Sequence, residues 1–196
     1  MLIKNEFEVA APVERVWAFF GDIPRVAPCL PGTELTRNLG DDKYAGRVAI
    51  RMGPVRLSFD GTAQVTERDE AAHRMVVDAH GSEEKGRGQA SMAVTATLAR
   101  AGRGTKVAVE QDLQLAGAAA QYGRGMITDV SSVLMRDFAR NLQNRIDAAD
   151  RGESPEQARP AAASSASGLT LGLRAALMAL SRVFRRFFLP YRAPAS

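Results

Sequence analysis

Cysteine and histidine are nearly missing from this chain: Cys29, His73 and His80 are all it has in 196 residues. A lone cysteine excludes an internal disulfide framework and any multi-cysteine zinc or iron–sulfur site. The two histidines stand seven residues apart, so on one continuous strand they have opposite parity and cannot chelate a metal together. The first ten residues, MLIKNEFEVA, lack the apolar core of a secretory signal, which makes a reducing, cytoplasmic setting the expectation. Three Gly-Arg-Gly runs, at 86–88, 102–104 and 123–125, lack the Gly-Lys-Ser/Thr ending of a phosphate loop. No nucleophile–base pair, paired carboxylates or metal cluster emerges, so a container is expected rather than an enzyme, with no catalytic residue and no metal.

Acidic residues are scarce in one place. Residues 151–196 hold 7 arginines against 2 acids, a net +5, whereas residues 1–150 hold 19 basic and 20 acidic groups, a net −1. The basic balance thus belongs to the tail, and the body offers no charge excess for a nucleic-acid partner.

The body alternates with period two over most of its length. Leu2–Val9 reads as a first strand, and Val13, Val16, Trp17 and Phe20 form one stripe of a short helix opened by Pro12. Pro28 and Pro31 bound a loop holding Cys29, which reads as a small buried hydrophobe. From about 33 to 116 apolar residues alternate in runs such as Tyr44–Ile50, Val55–Val65 and Val107–Leu115. Turns are expected at Gly40-Asp41, Gly53-Pro54, Asp69-Glu70, Gly81-Ser82 and Gly102-Arg103-Gly104. The pattern predicts an antiparallel meander with one dry face. Met126, Val130, Val133, Leu134, Phe138, Leu142 and Ile146 recur at helical spacing and would lie over that face.

Inward parity gathers many small residues, among them Gly46, Gly61, Ala63, Ala79 and Ala90, which favours a hollow over a filled core. Tyr44, His73 and Gln111 are the polar exceptions; they are either paired within the protein or orient a ligand in an apolar pocket. The expected cavity lining is Trp17, Tyr44, Val48, Leu57, Phe59, Met75, Met92, Val94, Gln111, Tyr122, Met126, Val130 and Leu134.

Residues 151–168 contain no large apolar side chain and read as a flexible linker. In 169–196, Leu173, Leu177, Leu180, Phe184, Phe187 and Phe188 share one side of a helical wheel. Arg174, Arg182 and Arg185 lie opposite, with Arg186 adding to the basic run. Arginines interrupt the segment so often that its longest Arg-free run is the seven residues 175–181; each central Arg costs about 2.5–3.5 kcal/mol in a bilayer. The segment is therefore expected to lie along a membrane surface rather than cross it.

Three segments carry a family likeness: APVERVWAFFGDIPRVAPCLPG at 11–32, GPVRLSFDGTAQV at 53–65 and QYGRGMI at 121–127. They resemble the G-subunit family of carbon monoxide dehydrogenase, within the START/birch-pollen-allergen (SRPBCC) superfamily, over roughly residues 1–148. The resemblance implies an α+β helix-grip fold over residues 1–150. In that fold a curved antiparallel sheet wraps a long C-terminal helix, two short helices follow the first strand, and a hydrophobic cavity lies between sheet and helix. It also implies association with an aerobic molybdenum carbon monoxide dehydrogenase, or a related molybdenum hydroxylase, that feeds electrons to the respiratory chain. The expected role is a peripheral protein on the cytoplasmic face of the membrane. It would carry no covalent cofactor and would bring a respiratory quinone, menaquinone or ubiquinone, to the enzyme. A ligand-free adaptor that parks the dehydrogenase on the membrane is the alternative.

Overall fold

In the computed structural model, which describes residues 1–52 and 55–152, strand β1 (Leu2–Val9) leads into helix α1 (Val13–Phe20) and the single turn α2 (Ile23–Val26). A 3₁₀ turn at Ala27–Cys29 follows. Six strands come next: β2 (Thr33–Gly40), β3 (Lys43–Met52), β4 (Val55–Asp69), β5 (Arg74–Glu83), β6 (Gly88–Ala101) and β7 (Gly104–Gly117). A second 3₁₀ turn, Ala118–Gln121, opens into the long helix α3 (Arg124–Asp150). The strands form one antiparallel sheet in the order β1-β7-β6-β5-β4-β3-β2, so the first strand closes against the last. This is the helix-grip arrangement.

Local chemistry places these elements. Pro12 is the N-cap of α1, one position before the helical start that the sequence suggests, and Val13, Val16, Trp17, Phe19 and Phe20 are all buried. Asp22 caps α2 by accepting from the Arg25 backbone N–H. Asp41 and Asp42, both at positive φ, make the tight turn between β2 and β3.

Two sequence expectations need correction. Gly81-Ser82 is not a turn but lies inside β5; the chain reverses later, at Glu84–Arg87. The buried Glu83 carboxylate organises that reversal. It accepts from the backbone N–H groups of Lys85 and Arg87, at 3.0 and 3.3 Å, and from the Arg87 guanidinium, at 2.8 Å. These donors favour the ionised form and hold its pKa at about 2. His73 is not on the dry strand face either. It closes the β4–β5 turn at positive φ and meets the Trp17 indole edge-on, ring centroids 5.6 Å apart.

Cross-strand register sorts the inward face into rows. At one end Met75, Ala96 and Val109 are successive partners, followed by Leu98 and Val107. These rows pack with α1 and with Leu142 and Ile146 of α3, which are 0% and 2% exposed, to form the main core. The Gln143 side chain accepts from the Ala10 N–H at 2.7 Å, and the Asn141 amide donates to the Cys29 carbonyl at 2.9 Å. The C-terminal half of α3 thus packs on the sheet through Leu142 and Ile146 and is tied by these bonds to the bend after β1 and to the Ala27–Cys29 turn. At the other end a smaller cluster forms from Leu57, Phe59 and Ala119, with Tyr122, Ile127 and Val130 against it.

Between the two clusters the rows are thin. Gly46, Gly61, Gly81 and Ala90 are consecutive partners across four strands, and Ala63 pairs with Ala79 in the next row. An added Cβ would lie 2.0 Å from the His80 carbonyl oxygen at Gly61 and 2.7 Å from the Glu34 carbonyl oxygen at Gly46. Glycine at these two places lets a neighbouring strand's carbonyl come closer than any side chain would allow.

Candidate functional site

Where the rows are thin and α3 stands away from the sheet, the fold forms a partly open cavity of about 380 Å³. Its floor is the inward face of β3–β7: Tyr44, Val48 and Ile50, then Leu57, Phe59 and Ala63, then Val77 and Ala79, Ala90, Met92 and Val94, and Gln111, Leu113 and Leu115. Its roof is Ile127, Val130, Ser131, Leu134 and Met135 of α3, and Leu30, Thr33 and Leu35 close the β2 side. The volume falls within the range of small-molecule sites, and the lining is overwhelmingly apolar.

Of the residues that the sequence nominates for this lining, the structure brings together Tyr44, Val48, Leu57, Phe59, Met92, Val94, Gln111, Val130 and Leu134. Four others lie elsewhere. Trp17 is buried in the main core, with its indole N–H donating to the Glu70 carboxylate. Met75 sits in the same core, one row beyond the cavity. Tyr122 packs on the smaller cluster without lining the hollow. Met126 is 45% exposed, as is Val133 at 50%; seven residues apart, they share the outer face of α3. The inward stripe of that half-helix is instead Ile127, Val130, Ser131 and Leu134, and Ile127 and Ser131 were legible at four-residue spacing once a serine was admitted to the stripe. On the β2 wall Leu35 lies within the alternating stretch but was not nominated, because Glu34, Thr36 and Arg37 surround it with polar residues.

Polar groups at the cavity are few. Gln111 is 7% exposed, and its carbonyl oxygen accepts from the Ser131 hydroxyl at 3.0 Å. Ser131 in turn accepts from the Asn5 amide at 3.2 Å. The Thr33 hydroxyl is buried with no hydrogen-bond partner among the described residues. Cys29 is fully buried outside the cavity, and burial pushes its thiol up to about 11, so it is a packing residue and not a nucleophile. Among the described residues no group of His, Cys, Asp and Glu side chains could hold a metal ion, and no helix is long and apolar enough to cross a membrane. The residues nominated for membrane contact, Leu173 to Phe188, lie outside the described residues, as does nearly all of the linker.

The profile of the carbon monoxide dehydrogenase G-subunit (CoxG) family matches residues 6–147. The chain belongs to this family. The match spans both core clusters, the cavity between them and nearly all of α3. Solved structures agree on the fold. A conserved protein from Geobacillus kaustophilus, 22% identical, superposes with a TM-score of 0.67 over 75% of this chain and 95% of its own. The Zhui aromatase/cyclase from Streptomyces sp. R1128, 14% identical, does so at 0.57 over 79% of this chain and 99% of its own. A Thermus thermophilus protein, 17% identical, gives 0.55 over 76% and 99%. Comparison with curated proteins finds no match. This CoxG-family chain thus has the helix-grip fold, and its cavity is where that fold would hold a hydrophobic ligand.

Proposed function

We propose that the protein is a membrane-tethered carrier. Its body takes a hydrophobic molecule, a respiratory quinone such as menaquinone or ubiquinone, into the cavity and presents it to a carbon monoxide dehydrogenase or a related molybdenum hydroxylase for reduction. The observation that carries this reading is the cavity itself: a hollow of about 380 Å³ with an almost wholly apolar lining, kept open by small residues at Ala63, Ala79 and Ala90. A prenylated molecule cannot leave lipid unaided, because each re-exposed CH₂ costs about 0.8 kcal/mol. An apolar container removes that cost. The cavity takes a ring and the first part of a tail, so a longer tail would run out of it. The arginine-lined segment 169–196 supports a tether to anionic lipid, and the linker before it supports a high local concentration beside the quinone pool. The apolar lining favours a binding role, although one protein with a similar fold is an aromatase/cyclase.

The test is quinone transfer between vesicles. Full-length protein is mixed with donor vesicles of phosphatidylglycerol and phosphatidylcholine that hold menaquinone, and with quinone-free acceptors. The carrier reading predicts faster exchange with the wild type and none above background with Ala63→Trp, while both proteins still sediment with the vesicles. Sedimentation without any acceleration by the wild type would leave only the adaptor role.

A further inference from the structure

A nearly apolar cavity gains specificity from whichever polar group is buried in its wall with bonding capacity to spare. Two residues of this lining qualify: Thr33, whose buried hydroxyl has no partner among the described residues, and Gln111, whose amide is held in place by its neighbours. Only Gln111 is oriented by other side chains. It sits on β7, 93% buried, and lines the hollow. Its surroundings use one half of the amide. The Ser131 hydroxyl has a single proton, which goes to the Gln111 carbonyl oxygen at 3.0 Å, and the Ser131 oxygen accepts from the Asn5 side-chain amide at 3.2 Å. Asn5 on β1, Ser131 on α3 and Gln111 thus form a relay running in one direction, and its far end is the Gln111 amide nitrogen. Among the described residues that nitrogen has no partner.

Resting on the reading of the cavity as a ligand site, we infer that Gln111 is its specificity-determining residue. The amide nitrogen donates a hydrogen bond to a carbonyl oxygen of a neutral apolar ligand, and Asn5 and Ser131 are the positioning residues that aim it.

The charge around the cavity supports a neutral guest. The ionisable side chains of positive type at its edge are Arg47 and His80, both exposed and both at strand positions of outward parity. Arg47 is committed there, to Asp60 at 3.0 Å and Glu84 at 2.8 Å. A fatty-acid carboxylate would enter the hollow without a cation to meet it, which burial makes strongly unfavourable. A carbonyl needs one donor and finds it. The same logic separates two oxidation states of one ligand. A quinone's oxygens only accept, which matches the Gln111 donor, whereas a quinol must also place its hydroxyl protons, for which this apolar lining offers little beyond the second lone pair of the Gln111 carbonyl and the Thr33 hydroxyl. Such a site favours the oxidised form.

The experiment measures binding to full-length protein by equilibrium dialysis with three probes: decylubiquinone, decylubiquinol and decylbenzene. Gln111→Met keeps size and removes the donor; Ser131→Ala keeps the donor and frees its orientation. One neutral hydrogen bond corresponds to a three- to tenfold change in affinity. Gln111→Met is expected to weaken decylubiquinone by that factor and leave decylbenzene unchanged, and the wild type is expected to prefer decylubiquinone to decylubiquinol. The infrared carbonyl stretch of bound decylubiquinone should lie lower in the wild type than in Gln111→Met. In Ser131→Ala it should broaden and move part of the way, a signature that a merely structural serine would not give. Equal weakening of decylubiquinone and decylbenzene, an unshifted stretch in the wild type, or tighter binding of the quinol would each overturn the assignment. If neither decylubiquinone nor decylbenzene binds the wild type, the ligand reading itself fails; if both bind and neither responds to Gln111→Met, only the role of Gln111 does.

Discussion

An empty apolar hollow is a stability cost that the sequence could have avoided, and its size can be tested by filling it. Where apolar volume is left unfilled, the cost relative to a packed core is about 24 cal/mol per Å³. Ala79 is a suitable place to recover part of it. Its side chain lies on the cavity floor, paired across strands with Ala63 and Met92. Ala79→Leu adds three carbons to that space, and at about 0.8 kcal/mol per buried CH₂ the gross gain is about 2 kcal/mol. Lost leucine rotamer freedom removes about 0.5–1 kcal/mol, leaving a gain of about 1–2 kcal/mol. For a chain of this size that raises the thermal midpoint by roughly 2–8 °C. The assay is calorimetric unfolding of delipidated protein, paired with decylbenzene binding to the same samples. The variant should melt higher and bind less. A variant that melts several degrees lower would mean that the interior is already packed at Ala79, and the hollow on which the function rests would not exist.

Glycines should divide by what surrounds them. Gly61→Ala should lose at least about 2 kcal/mol in urea unfolding, because its Cβ meets the His80 carbonyl. Gly125→Ala, in the first turn of α3 with nothing within 4 Å of the added carbon, should gain about 0.5–1 kcal/mol. The Glu83 carboxyl is held at about 2 against 4.5 when unperturbed, chiefly by hydrogen bonds from Arg87. Its stabilisation is complete above pH 4.5 and is lost as pH falls through 2, so Glu83→Gln should lower the urea midpoint at pH 7 and flatten its decline between pH 4.5 and 2. The opposite trend would contradict the ionised staple. Cys29, buried and with its thiol raised to about 11, should resist iodoacetamide at pH 8 in the native protein and react on unfolding in urea; prompt native alkylation would contradict its packing.

Strand parity was the most legible feature of the sequence. Tyr44, Val48, Leu57, Phe59, Met92, Val94 and Gln111 were placed on one face by alternation alone, and register then brought them to one cavity. What alternation lacks is position along the strand. Met75 has the same parity as Val77, yet one is core and the other cavity wall, because α3 lies close over one row and away from the next. Trp17 misled for a related reason. A large aromatic on a stripe facing the sheet is consistent with either site, and its hydrogen bond to Glu70 joins residues far apart in sequence. On α3 an apolar count favoured Met126 over Ile127, since the true stripe contains Ser131 and the exposed face contains Val133. The relay that aims Gln111 links β1, β7 and α3, so nothing local could have revealed it.

The central claim, that the hollow carries a neutral prenylated guest, is tested most directly by mass spectrometry of the small molecules retained by the full-length protein purified from its native membranes. The account predicts a quinone in near-stoichiometric amount in the wild type and a depleted one in Gln111→Met and Ala79→Leu. A wild-type protein that carries no lipid, or the same lipid in equal amount in the two variants, would contradict it.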